Sequence, residues 1–139
     1  MEEQEILAQM NANLPPCVAT LGNGKVIRAD LEKKLVEVEF TNGDEHCHSG
    51  NIIQGGFIAG MIDNAMSVAV ITEGKHLISP ATLELKVTYL KSGSQGINRA
   101  TGWIIKMGRS VAFLEGELHN EAGELLAKAS STARLITRK

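Results

Sequence analysis

One segment constrains the fold of this chain more than any other. Between residues 56 and 71 apolar residues follow one another almost without interruption, and the only charged residue between Glu45 and Glu73 is Asp63. This run is too long for an average strand and too continuous for a strand with one solvent-facing side. It therefore predicts a central helix that is buried along most of its length.

The segments around this helix have the periodicity of strands. Residues 82–90 alternate apolar and polar side chains, which predicts an amphipathic strand of about nine residues. Two further strands are predicted before the helix, at residues 25–29 and 35–40, and three more follow residues 82–90, at residues 97–107, 111–119 and 125–136. Short turns join the last three strands, so we expect them to form an antiparallel meander.

These elements predict an α+β fold in which an antiparallel sheet wraps around the hydrophobic helix. The 139 residues are enough for one domain, expected over residues 1–139. Residues 1–16 are expected to be a helical arm, with a short helix over residues 2–12 that Pro15 and Pro16 terminate.

Composition narrows the classes of function. The net charge is −2, and one Trp, one Tyr and three Phe offer few stacking surfaces, so we do not expect nucleic-acid binding. The acidic start lacks the features of a signal peptide, and two cysteines make no disulfide framework, so a cytoplasmic location is expected. The uncharged stretch at residues 47–62 is interrupted by polar residues and ends at Asp63, so no membrane insertion is expected.

Asp63 is the first candidate for chemistry. An ionised carboxylate in a core helix costs several kcal/mol unless it is paired or hydrogen-bonded. On a helical wheel Asp63 shares a stripe about 60° wide with Gly56, Gly60 and Ser67, where another backbone or a ligand can approach closely. The alternative is ordinary packing, with Asp63 bonded to Ser67 or another neighbour.

Gln54, Gly55 and Gly56 stand where this helix begins. Glycines at a helix start leave backbone N–H groups open to an anion, which suits an oxyanion hole; the alternative is a simple turn. Seven residues of helix separate Gly56 from Asp63 by roughly 10 Å, too far for both to act on one carbonyl. A shared site therefore requires two subunits with their helices antiparallel, as in a twofold dimer.

Two other clusters carry weaker alternatives. His46, Cys47 and His48, near Asp44 and Glu45, invite a metal-site interpretation, but no third and fourth ligands stand out, and we expect no metal. The turn at residues 106–110 can either hold a phosphate or be an ordinary solvated surface; its candidate residues are Lys106, Gly108, Arg109 and Ser110.

Three stretches resemble the PaaI-type hotdog acyl-CoA thioesterases: residues 50–65, residues 82–90 and residues 106–110. The resemblance covers about residues 36–134 and implies a hotdog fold, hydrolysis of a fatty or aryl acyl-CoA, and a homodimer or homotetramer. No cofactor is implied beyond the coenzyme A of the substrate. In this family's scheme Asp63 is the general base or nucleophile, Gly55 and Gly56 form the oxyanion hole, and the Thr82 hydroxyl helps to hold the water. Lys106, Gly108 and Arg109 then lie near the coenzyme A phosphates.

Two positions depart from the family pattern. Gln54 stands where the family usually has His, and His48 stands where it usually has Asn. His48 is expected to be a neutral hydrogen-bonding residue that positions water or a carbonyl. Two alternatives stay open: a hotdog hydroxyacyl dehydratase that uses His48 and Asp63, and a non-catalytic module that binds acyl-CoA.

Overall fold

In the computed structural model, residues 2–138 are described, so Met1 and Lys139, the two ends of the predicted domain, lie outside the described residues. The elements follow in chain order: helices α1 (Glu3–Ala12) and α2 (Pro16–Thr20), strands β1 (Lys25–Asp30) and β2 (Leu35–Asn42), a 3-10 turn (Asp44–His46), strands β3 (Cys47–Ser49) and β4 (Ile52–Ile53), helix α3 (Gly55–Glu73), and strands β5 (Ile78–Tyr89), β6 (Gly96–Met107), β7 (Val111–Asn120) and β8 (Leu125–Thr137).

Six strands form one antiparallel sheet in the order β1-β2-β6-β7-β8-β5, and β3 pairs only with β4. The predicted meander of the last three strands is confirmed. Strand β5 pairs with β8 rather than with β6, its successor in the chain, and this crossover lets the sheet curve around α3. The predicted α+β hotdog arrangement is therefore the observed one.

Helix α3 is the core of the fold. Eight of its residues are buried, and they pack on the inward-facing side chains of the strands: Ile58, Met61, Ile62, Ala65, Met66, Val68, Ala69 and Val70. By length and composition this helix could cross a membrane, with a mean hydropathy of 1.3. Its packing inside the sheet shows that it is the core helix.

A glycine allows the sheet to approach this helix closely. A Cβ atom at Gly102 of β6 would lie 2.4 Å from the backbone nitrogen of Met66. Real carbon atoms do not come that near to a backbone, so only glycine fits at this crossing. The position of α3 against the sheet is thus fixed at its middle, three residues after Asp63.

The two edges of the sheet are treated differently. At one edge, α1 covers β1: the Asn11 side chain bonds both the N–H and the carbonyl of Val26, at 2.8 and 2.9 Å, and Glu3 accepts from the Ala29 N–H at 3.0 Å. At the other edge, β5 has β8 as its single neighbour in the described chain. One edge is therefore capped by this chain's own arm, and the other presents its backbone groups for further pairing.

Several local details differ from the sequence predictions. A second helix, α2, begins at the last residue of the predicted arm, because Pro16 suits the first position of a helix. Strand β5 has 12 residues rather than about nine, and a bulge at Leu83 interrupts its alternation. The short β3–β4 pair and the 3-10 turn were not predicted, because segments this short carry no periodic signal.

Candidate active site

The structure brings Asp63 and Thr82 together. The Thr82 hydroxyl donates a hydrogen bond of 2.9 Å to Oδ1 of Asp63. The two residues lie 19 positions apart in the chain, one on α3 and the other on β5. The packing alternative allowed a bond from Asp63 to Ser67 or to another neighbour, and the partner in the structure is such a neighbour, Thr82.

The surroundings of Asp63 adjust its chemistry. The residue is half-buried, and this burial raises the pKa of its carboxyl above the ordinary value, while the Thr82 hydrogen bond lowers it and offsets part of the rise. A carboxylate with a raised pKa is a stronger base, and the bond to Thr82 leaves its second oxygen for another partner.

The predicted stripe of small residues is only partly open. A Cβ atom at Gly60 would lie 2.8 Å from Cδ2 of Leu21, so a side chain from the end of α2 covers this glycine. Asp63 and Ser67 are half-buried, and Gly56 is exposed. Asp63 is therefore reached from the side of β5, where Thr82 contacts it.

The start of α3 has the predicted glycine turn, with a cap that sequence reasoning did not foresee. Gln54 is the N-cap residue, and its side-chain Oε1 accepts a hydrogen bond of 2.7 Å from the Gly56 N–H. A helix N-terminus favours an acceptor at this point, and an amide oxygen fulfils that role. An incoming carbonyl oxygen can take the place of Oε1 as the acceptor of the hydrogen bond from the Gly56 N–H.

Tyr89 is a residue of this region that the sequence analysis missed. Its hydroxyl donates a hydrogen bond of 2.7 Å to the carbonyl oxygen of Gly55. An open cleft of about 320 Å³ adjoins this contact, and its walls include Ile52, Ile58 and Leu90. The alternation of β5 indicated which face Tyr89 occupies, but no local signal indicated a partner 34 residues away.

His48 makes no hydrogen bond to Asp63 or to the glycine turn among the described residues, although its strand adjoins that turn: the Gln54 N–H donates to the His46 carbonyl at 2.8 Å. His48 is exposed on β3, and its Nδ1 shares a hydrogen bond of 2.8 Å with the hydroxyl of Ser49. The His48–Asp63 pairing of the dehydratase alternative is therefore not seen within the described chain.

The metal alternative loses its basis in this geometry. His46 is buried in the 3-10 turn; its Nδ1 accepts from the Gly43 N–H at 3.0 Å and its Nε2 donates to the Thr20 carbonyl at 2.9 Å. Both ring nitrogens are thus engaged, and His46 and His48 do not share a face. Among residues 2–138 no three His, Cys, Asp or Glu side chains are grouped to hold a metal ion.

The candidate phosphate turn is exposed at the β6–β7 connection. Its four residues are all solvent-accessible: Lys106, Gly108, Arg109 and Ser110. Strand β8 separates this turn from Thr82, since Val111 pairs with Arg134 and Arg134 pairs with Ala81. The single chain therefore does not bring the turn into contact with Asp63.

A larger cavity lies elsewhere in the molecule. It has a volume of about 450 Å³ and lies at the far end of α3, beside α1, with Ile6, Leu31 and Thr72 among its walls. None of the predicted site residues lines it, so it is not the site described above.

Comparisons with known proteins agree on one family. A protein-family model described as the thioesterase superfamily matches residues 50–127. The medium/long-chain acyl-CoA thioesterase YigI of Escherichia coli K12 is 30% identical over an alignment of 118 positions that covers 73% of this chain and 75% of the relative. Human acyl-coenzyme A thioesterase 13 is 25% identical over 114 residues, which are 81% of each protein.

A solved structure has the same fold over nearly the whole length. The phenylacetic acid degradation-related protein of Ralstonia eutropha JMP134 superposes with a TM-score of 0.83 and 26% sequence identity, and the alignment covers 93% of this chain and 98% of that one.

Proposed function

Because the chain belongs to the thioesterase superfamily, we propose that it hydrolyses the thioester of a fatty or aryl acyl-CoA to a free acid and coenzyme A. The observation that carries this proposal is the half-buried Asp63 carboxylate held by Thr82. The relatives named as acyl-CoA thioesterases support the choice of substrate class. We place the enzyme in the cytoplasm.

In the proposed reaction Asp63 acts as a general base on water. The carboxylate takes a proton from water as the water oxygen bonds to the thioester carbonyl carbon, and the Thr82 hydroxyl oxygen accepts a hydrogen bond from the same water. The carbonyl oxygen becomes an oxyanion, which the N–H groups of Gly55 and Gly56 stabilise after Gln54 Oε1 is displaced. The carbon–sulfur bond then breaks, and the coenzyme A thiolate takes up the proton from Asp63.

A homodimer is part of this proposal. The roughly 10 Å of helix between Gly56 and Asp63 prevents one chain from applying both to the same carbonyl. Strand β5 carries Thr82 at the edge that no element of the described chain covers, whereas α1 covers the opposite edge. Pairing of β5 with a second copy would bring the Asp63 of one subunit toward the glycine turn of the other, and two dimers would make the tetramer.

The coenzyme A part of the substrate is assigned to the exposed turn at residues 106–110. Lys106 and Arg109 offer cationic groups, and the Ser110 hydroxyl and the Gly108 backbone can donate to phosphate oxygens. In the dimer this turn would serve a site whose reacting groups come from both subunits.

The activity is tested by measuring thiol release from short, medium, long and aryl acyl-CoAs. We expect Asp63→Asn to lower kcat by about 10²- to 10⁴-fold, because the amide keeps the hydrogen bond from Thr82 but cannot accept a proton. Asp44→Asn, the same change at an exposed aspartate, is the control and should leave the rate unchanged. Full activity in Asp63→Asn would show that this carboxylate is structural.

The shared site is tested by complementation between subunits. Asp63→Asn and Gly55→Val are each expected to be inactive, but a mixed dimer has one site with both native residues. Random pairing after co-expression should therefore restore about a quarter of the wild-type activity. No recovery in dimers shown to be mixed would refute the shared site and leave the thioesterase proposal itself intact.

A further inference from the structure

The glycine turn at the start of α3 has to be rigid if its N–H groups are to receive an oxyanion. Two adjacent glycines have more backbone freedom than any other pair of residues. A donor without a fixed direction stabilises an oxyanion only weakly. Gln54 holds the Gly56 N–H in the free protein, but a substrate oxygen would replace that contact. The rigidity must then come from another group.

Tyr89 supplies contacts on two sides of Gly55. Its hydroxyl holds the Gly55 carbonyl at 2.7 Å, and the Gly55–Gly56 peptide that includes this carbonyl also includes the Gly56 N–H. Because the peptide is planar and trans, fixing the direction of its carbonyl also fixes the opposite direction of its N–H. The orientation of the Gly56 donor thus depends on the Tyr89 hydroxyl.

The ring of Tyr89 occupies the space beside the Gly55 Cα. A Cβ atom at Gly55 would lie 3.2 Å from both Cζ and the hydroxyl oxygen of Tyr89, closer than ordinary contact. A side chain at position 55 would press against the Tyr89 ring, which would have to shift by a few tenths of an ångström. The packing in turn limits how far this glycine can move.

We propose that Tyr89 is a positioning residue that aims the Gly56 N–H, one of the two oxyanion donors, at the thioester oxygen, an inference that rests on the function proposed above. In the proposed dimer each β5 then contributes to both sites, since its Thr82 holds the base of one site and its Tyr89 orients the Gly56 donor of the other. Tyr89 acts on the Gly56 N–H through the backbone and does not itself contact the reacting atoms.

The test is Tyr89→Phe, which keeps the ring and removes the hydroxyl. We expect kcat for thiol release to fall about tenfold with KM within twofold of wild type, because one hydrogen bond and the aim of the donor are lost while the substrate contacts stay. Amide hydrogen exchange of Gly56, followed by NMR, should become at least about fivefold faster. Thr88→Val, which removes the hydroxyl of the adjacent residue on the opposite face of the strand, should change neither quantity.

The outcomes separate this inference from the proposed function. An active wild type with an equally active Tyr89→Phe refutes the role of Tyr89 alone, as does a rise in KM at constant kcat, which would make Tyr89 a substrate-binding residue. Unchanged exchange of the Gly56 amide also overturns it. A wild type that releases no thiol from any acyl-CoA refutes the proposed function first, and the catalytic role of Tyr89 with it.

Discussion

The contact between Gly102 and helix α3 allows a quantitative prediction. In Gly102→Ala the new Cβ would lie 2.4 Å from Met66 N and 2.5 Å from the carbonyl carbon of Ala65. Both atoms belong to the helix backbone, so no side-chain rotation can relieve the clash. Ordinary contacts begin near 3.4 Å, and the helix must therefore retreat from β6 by about 1 Å.

The expected cost follows from that displacement. Overpacking a core typically lowers the free energy of unfolding by about 1–3 kcal/mol. Because displacing the backbone of a central helix costs at least the upper end of this range, we expect a loss of about 3–4 kcal/mol in Gly102→Ala. For a chain of this size the loss corresponds to a Tm lower by about 10–20 °C. Asp63 moves with the helix, so its 2.9 Å bond to Thr82 is broken or stretched. A misplacement of about 1 Å at a reacting group can lower the rate about 10²-fold.

Thermal unfolding and thiol release measured on the same preparation check both effects. Gly93→Ala is the matched control, since its Cβ would meet Ile53 and Leu126 at an ordinary 3.4 Å, and its Tm should stay within about 3 °C of wild type. The reasoning fails if Gly102→Ala is as stable as this control. It also fails if Gly102→Ala loses stability but keeps the wild-type kcat at a temperature where it is fully folded.

Three further predictions concern the site. Burial raises the pKa of Asp63 and the Thr82 hydrogen bond lowers it. With the carboxylate as the reactive form, kcat/KM rises with pH through this pKa, and Thr82→Val should shift that rise to higher pH. An unshifted pH profile would show that Thr82 does not act on the base. His48→Asn should keep most of the hydrolytic activity because an amide can also position water or a carbonyl, and His48→Ala should lose more. Equal, near-complete loss in both variants, together with dehydration of a hydroxyacyl-CoA by the wild type, would favour the dehydratase alternative. The double variant Lys106→Ala/Arg109→Ala should have a higher KM for acyl-CoA at nearly constant kcat. If the wild type has equal KM values for acyl-CoA and for a thioester lacking the nucleotide, the assignment of this turn to coenzyme A binding is contradicted.

The sequence predicted the elements that local pattern determines. An uninterrupted apolar run can be stabilised only by burial on all sides, and the period-two segments have one face for a core; the central helix and the main strands follow from these two facts. The resemblance to the hotdog thioesterases is confirmed by the family match. Asp63 stood out because a charge inside such a helix needs a specific partner.

Tertiary structure alone decided which partner each residue meets. Periodicity gives the face of a strand but not its neighbour, so the pairing of β5 with β8, and with it the Thr82–Asp63 bond, could not be read from spacing. The same holds for Tyr89, whose contact with Gly55 depends on where the end of β5 crosses the start of α3. Likewise, only the tertiary structure shows that α1 covers the β1 edge of the sheet while the β5 edge has no further strand paired to it in the described chain. Local sequence sets which side chains must be buried, whereas the chemistry of the site depends on contacts between segments that only the folded chain brings together.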